Sequence, residues 1–244
     1  MNSEMSFETF LFAVFPYIAV GLLVAVSVIR WRRHPFSVSS LSSQLLESRR
    51  LYWGSISFHW GLTLILVGHL AALIVPRAFE LWNGAPLRLY LLEATGLALG
   101  LWTAFGLIVL LSRRLQNPRI RAVTSPMDLA VLLVLAVQVG TGLWIAIGYR
   151  WGSFWGTSVL VPYMRSVLTL SPDASYVEPL PLVLQLHVLA FWVLVAVFAF
   201  SRLVHIVTLP LGYLVRPWQR VIRTSDEPSV FHPAADGILE KLPR

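Results

Sequence analysis

Five apolar stretches, each about as long as a bilayer is thick, constrain this chain more than any other feature. They run Phe10–Ile29, Ile56–Val75, Leu91–Leu111, Met127–Ile147 and Leu182–Val207. An α-helix rises ~1.5 Å per residue, so roughly 20 residues cross a hydrocarbon core of ~30 Å. None of the stretches has the apolar–polar alternation of a barrel strand. The expected fold is an all-α membrane protein, five transmembrane helices in a bundle, with backbone groups satisfied inside each helix. Composition agrees: of 244 residues 57% are hydrophobic and 13% charged, where a soluble domain carries about 25% charged residues. A soluble single-core domain and a disordered chain are both excluded. The first stretch lacks a basic leader and a small-residue cleavage site, and reads as a retained helix.

The net charge of +7 takes its meaning from where the arginines fall. Five (Arg30, Arg32, Arg33, Arg49, Arg50) lie between the first two spans, four (Arg113, Arg114, Arg119, Arg121) between the third and fourth, and six positive residues from Arg202 onward. The loops on the other side hold two each: Arg77 and Arg88, then Arg150 and Arg165. The positive-inside rule places the N-terminus outside and the C-terminus in the cytoplasm. Membrane anchoring thus accounts for the basic charge without nucleic acid. Residues 1–213 form the expected membrane domain and 214–244 a polar cytoplasmic tail. No internal repeat is visible.

Local signals fill in the loops. Ser125-Pro126-Met127-Asp128 reads as a capped helix start, with Pro at the first helical position. Trp151, Phe154, Trp155 and Tyr163 form an expected aromatic belt on the outer side, in a long loop that includes a short surface helix near Thr157–Leu170. The absence of cysteine removes disulfides, thiolate-held iron–sulfur clusters and covalent haem attachment.

Four of the six histidines sit inside two spans: His59 and His69 on the second, His187 and His205 on the fifth. His34 and His232 lie in polar segments. An ionisable residue within a span is costly and marks function or an interhelical hydrogen bond. The second and fifth spans run in opposite directions, so depth pairs His59 with His205 near the inner face and His69 with His187 near the outer one. Each pair can give a haem iron two axial imidazoles, a six-coordinate arrangement suited to electron transfer. Along the axis His59 and His69 are ~15 Å apart and His187 and His205 ~27 Å, a mismatch that requires tilted or kinked helices and tilted haems. Eighteen residues make five turns, putting His187 and His205 on one face, while His59 and His69 are offset by ~80°. The competing class is a transporter that uses histidine for protons or a metal ion. It calls for broken helices and midplane carboxylates, whereas Glu93 and Asp128 stand at helix starts.

Gly54, Gly61 and Gly68 recur at steps of seven, and this stripe fits either close helix packing or a flat lane for a porphyrin. Gly96 and Gly100 read as packing. Arg202, Arg113 and Arg114 lie at the inner depth and are candidate partners for haem propionates, or simple anchors.

Several segments together resemble the cytochrome b gamma subunit of membrane-bound respiratory nitrate reductase. They are Ser42-Ser43-Gln44 followed by Glu47, Phe58-His59, Val67-Gly68-His69, Arg113-Arg114-Leu115 with Pro118-Arg119-Ile120-Arg121-Ala122, Leu186-His187, and Ser201-Arg202-Leu203-Val204-His205-Ile206. The likeness covers about residues 10–220. It implies a multi-pass prokaryotic cell-membrane subunit holding two non-covalent b haems, the inner (proximal) on His59 and His205 and the outer (distal) on His69 and His187. It further implies quinol oxidation near Arg88, Gly68 and His69, with electrons passing to an iron–sulfur beta subunit and a molybdenum-containing alpha subunit that reduces nitrate. A similar gamma subunit in another molybdenum enzyme, such as a nitrite oxidoreductase, and a haem-free anchor stay open. The chain has no residues for an iron–sulfur or molybdenum centre, and nothing in the likeness assigns the tail after about residue 224.

Overall fold

The computed structural model describes residues 7–33 and 49–203. Helices in chain order are α1 (Phe7–Arg33), α2 (Arg49–Ile74), α3 (Pro76–Asn83), α4 (Pro86–Gln116), α5 (Pro118–Ala122), α6 (Pro126–Gly148), α7 (Gly152–Leu168) and α8 (Leu182–Phe198). Four of them, α1, α2, α4 and α6, are long and apolar enough to cross a membrane. Large apolar side chains such as Trp60, Leu64, Ile108 and Leu133 remain exposed on these helices. Exposed apolar surface on this scale is what lipid tails cover. His34, His205, His232, the Ser42-Ser43-Gln44 segment and the expected 214–244 tail lie outside the described residues.

The bundle is a chain of neighbours: α2 lies along α4, α4 on α6, α6 on α8, and α8 on α1. The α2–α4 pair is antiparallel and close because glycines line it. A Cβ built on Gly106 would stand 2.4 Å from the Phe58 nitrogen and 2.8 Å from the Gly54 carbonyl oxygen, and one on Gly61 2.3 Å from Thr103 Oγ1. One apolar core at this contact joins Phe58, Leu107, Val131 and Leu135; a second joins Phe12, Tyr163, Val188 and Trp192 across α1, α7 and α8.

Helix ends follow local chemistry. At α6, Ser125 Oγ accepts from the Asp128 amide at 3.2 Å while the Asp128 carboxylate accepts from the Ser125 amide at 3.0 Å, the expected capping box. Pro76, Pro86, Pro118 and Pro126 each open a helix, where a missing N–H costs nothing.

Three expectations are corrected. The fifth helix does not run unbroken from Leu182 to Val207: it ends at Phe198 after 17 residues, about 25 Å. The freed carbonyls find other donors, since Arg30 of α1 donates to the Ala199 and Ser201 oxygens and Ser201 Oγ donates to the Phe198 oxygen at 2.8 Å. The continuous helix on which a five-turn face through His187 and His205 depended is thus interrupted after Phe198. The outer-loop helix near 157–170 begins earlier, at Gly152, and packs into the bundle instead of lying on its surface: Thr157, Val161, Tyr163 and Val167 are buried. Tyr163 is accordingly a core residue, not part of an aromatic belt.

Tyr163 has a specific task there. Pro16 has no N–H for the Phe12 carbonyl one turn back, and the backbone makes a π-turn over Phe10–Val14. Tyr163 Oη supplies the missing donor at 2.9 Å, and itself accepts from Trp192 Nε1 at 3.0 Å. Tyr163→Phe leaves a buried acceptor and a buried donor unmatched, an expected loss of ~1–3 kcal/mol. Thermal unfolding of the detergent-solubilised protein should show a lower midpoint; an unchanged midpoint would mean the phenol is dispensable.

Candidate functional site

Helix α2 carries two of the four intramembrane histidines, and each ring is tied to the carbonyl four residues before it. His59 Nδ1 lies 2.7 Å from the Ser55 carbonyl oxygen and 3.1 Å from Ser55 Oγ. His69 Nδ1 lies 2.9 Å from the Ile65 carbonyl oxygen. A carbonyl can only accept, so Nδ1 carries a proton in both rings, and Nε2 is the nitrogen left for ligation.

His187, on α8, reaches the same tautomer by another route. Its Nδ1 is 2.9 Å from Thr141 Oγ1 on α6, and that hydroxyl donates its own proton to the Val137 carbonyl at 2.7 Å. The Thr141 oxygen is thus left to accept from Nδ1–H. Gln138 Nε2 stands 3.1 Å from His187 Nε2, and the Gln138 carbonyl oxygen is buried with no partner. Gly142 lets the ring approach: a Cβ there would stand 3.2 Å from His187 Cε1. The depth partner assigned to His59, His205, lies outside the described residues. Among the described residues no three His, Asp or Glu converge as a metal-ion cage.

This donor set fits a haem. Each of the three imidazoles has Nδ1 engaged by an oxygen, the outer-shell contact that a haem-ligating histidine uses, and at His187 the Gln138 amide occupies the place an iron would take. Beside His69 there is also room, because a Cβ on Gly68 would meet nothing within 4 Å. The glycine stripe thus divides. Gly54 and Gly61 serve packing against Leu110 and Thr103 of α4, and Gly68 opens a lane. The expected packing role of Gly96 and Gly100 holds only for Gly100, where a Cβ would stand 2.9 Å from Leu143 Cδ2; Gly96 faces open space.

The candidate cations have protein partners of their own. Arg88 donates to the Leu81 carbonyl at 3.3 Å and lies over the Trp82 ring, 5.5 Å from its centroid, so it leans on α3. Arg113 is buried. Arg114 and Arg202 meet on one carboxylate: Arg114 Nη1 is 3.1 Å from Asp128 Oδ2 and Arg202 Nε 3.3 Å from Asp128 Oδ1. Asp128, expected only as a helix cap, also ties α4 and the segment after α8 to α6. At the other end Glu93 accepts from the Ser153 amide at 2.8 Å and from Ser153 Oγ, while Asn83 Nδ2 donates to the Ser153 carbonyl at 2.9 Å. Arg165 of α7 donates to the Leu73 carbonyl at 2.8 Å, closing the end of α2 one turn past His69.

Sequence reading missed Thr141, Gln138 and Ser55. The available signal was polarity inside a span: Gln138 and Thr141 stand three apart in an otherwise apolar run, where an uncharged polar side chain also needs a partner.

Long apolar helices with hydrogen-bonded histidines inside them define a multi-helix membrane protein. Residues 8–224 match the nitrate reductase gamma subunit family, and the chain belongs to that family. It is 32% identical over 213 residues to the nitrate reductase gamma chain of Bacillus subtilis (strain 168), covering 85% of this chain and 95% of that one. It is 32% identical over 216 residues to the respiratory nitrate reductase 1 gamma chain of Escherichia coli (strain K12), covering 87% and 96%. The nitrate reductase-like protein NarX of Mycobacterium tuberculosis (strain ATCC 25618 / H37Rv) is 30% identical over 241 residues, 97% of this chain but 37% of that protein.

Proposed function

We propose that this chain is the membrane-anchoring dihaem cytochrome b subunit of a respiratory nitrate reductase. It oxidises quinol on the outer side and passes electrons inward to an iron–sulfur beta subunit and a molybdenum-containing alpha subunit, where nitrate is reduced. The observation that carries this reading is that His59, His69 and His187 each engage Nδ1, through the Ser55 and Ile65 carbonyls and Thr141 Oγ1, which leaves Nε2 as the nitrogen to ligate iron once the Gln138 amide moves off His187. Family membership supports the complex. The Arg/Lys asymmetry supports an N-terminus outside and a C-terminus in the cytoplasm.

His69 and His187 hold the outer b haem in this reading, and His59 and His205 the inner one. A bis-imidazole haem supplies reversible one-electron chemistry with no open coordination position. The chain's own residues bind and orient. Gly68 leaves space beside His69, and Arg88 presents a cation to the quinol. The Arg114–Asp128–Arg202 cluster fixes the inner end. Quinol oxidation releases two electrons and two protons, the protons to the outer water, so turnover separates charge across the membrane. A transporter reading is weaker, because the carboxylates it needs are engaged: Glu93 by Ser153, and Asp128 by two arginines.

Quinol added anaerobically to the purified complex should reduce its b-type haem; haem that stays oxidised would refute quinol oxidation by this subunit. Arg88→Ala should raise the apparent quinol requirement about tenfold, the effect of losing one charge-assisted hydrogen bond of ~1.5 kcal/mol, with both haems retained. An unchanged requirement would leave Arg88 as an anchor on Leu81 and Trp82.

A further inference from the structure

We propose that Thr141 is a positioning residue that sets the redox potential of the outer haem through Nδ1 of His187. The inference rests on the reading above that His187 ligates a haem iron.

Three observations converge on Thr141. Its hydroxyl proton is committed to the Val137 carbonyl at 2.7 Å, so toward the ring it can only accept. Its oxygen is 2.9 Å from Nδ1, an ordinary hydrogen-bond distance. And α6 is shaped around the ring, with Gly142 admitting Cε1 at a distance a Cβ would make tight. An acceptor on Nδ1–H pulls the imidazole toward imidazolate character and raises the basicity of Nε2. A more basic axial ligand favours the oxidised iron, which lowers the potential.

The arrangement is specific to His187 among the described histidines. His69 bonds a carbonyl of its own helix, and His59 a carbonyl with the Ser55 hydroxyl beside it. Neither carbonyl can be removed by substitution. The His187 acceptor is a side chain on a neighbouring helix, and together with the Gln138 amide beside Nε2 it holds the ring between α6 and α8. Tuning the outer site apart from the inner one has an evident use, since electrons entering there must continue inward.

The test is redox titration of the visible spectrum of the intact complex carrying Thr141→Val or Thr141→Ser. Valine keeps the shape and loses the acceptor; serine keeps the hydroxyl. We expect Thr141→Val to shift the outer haem alone toward the reduced form, by about tenfold in its reduced-to-oxidised ratio at fixed ambient potential, and Thr141→Ser to titrate like the wild type. Loss of the outer haem in Thr141→Val but not in Thr141→Ser would support the same role. A Thr141→Val protein with both haems at wild-type potentials overturns the proposal, as does an equal shift of both haems, or an effect of equal size in Thr141→Ser. Wild-type protein without haem would instead overturn the dihaem reading, and the proposal with it.

Discussion

His187→Ala, purified within its complex, is expected to carry about half the b-type haem of the wild type, with the remaining haem unchanged in spectrum and potential. The substitution removes one of two axial imidazoles from the outer site. It also leaves the Thr141 hydroxyl and the Gln138 amide without their ring partner. The inner site should be untouched, because His59 stands ten residues, ~15 Å along the helix, from His69. His69→Ala should give the same phenotype, since each variant strips the same iron. Quinol-driven nitrate reduction should fall to background in both, whereas nitrate reduction fed by an artificial donor directly to the soluble subunits should persist. Haem quantification with redox titration checks this. Loss of the inner haem with the outer retained would show that the histidines are paired otherwise.

The second large effect is expected at Gly106. A Cβ there would meet the Phe58 nitrogen at 2.4 Å, the Gly54 oxygen at 2.8 Å and the Phe58 Cα at 2.9 Å. All three are backbone atoms, so no side-chain rotation relieves the clash, and α2 must move off α4. Overpacking of a tight contact costs ~1–3 kcal/mol, and the upper end is expected here. The damage should extend to haem, because His59 follows Phe58 directly on the displaced helix. Gly96→Ala, on the same helix but facing open space, is the control: its unfolding midpoint should match the wild type. Thermal unfolding with haem content in parallel checks the pair. Equal stability of the two variants would mean that α2 and α4 do not approach through glycine.

The four long helices and the α6 capping box were legible because their causes are local: length and apolarity for the spans, a Ser-x-x-Asp spacing for the cap. What escaped depended on partners distant in the chain. Helix α8 ends at Phe198 because Arg30, on another helix, satisfies its open carbonyls; nothing between Leu182 and Val207 announces that stop. Helix α3 is eight residues long, too short for a periodic signal, and is held by Asn83 and Ser153. Tyr163 looked interfacial by composition, yet it answers the Phe12 carbonyl, which Pro16 leaves open 151 residues earlier in the chain. Glycines read alike along α2 and α4 but serve differently, since Gly61 is in contact and Gly68 is not. Thr141 and Gln138 are polar residues whose meaning appears only when α8 brings His187 beside them.

The most direct test of the central claim is haem quantification against subunit concentration, with the reduced visible spectrum, on the intact complex. Two non-covalent b haems per chain, both low-spin and both reducible by quinol, are the result predicted. A complex that is fully assembled and membrane-bound but carries no b-type haem on this chain would contradict it.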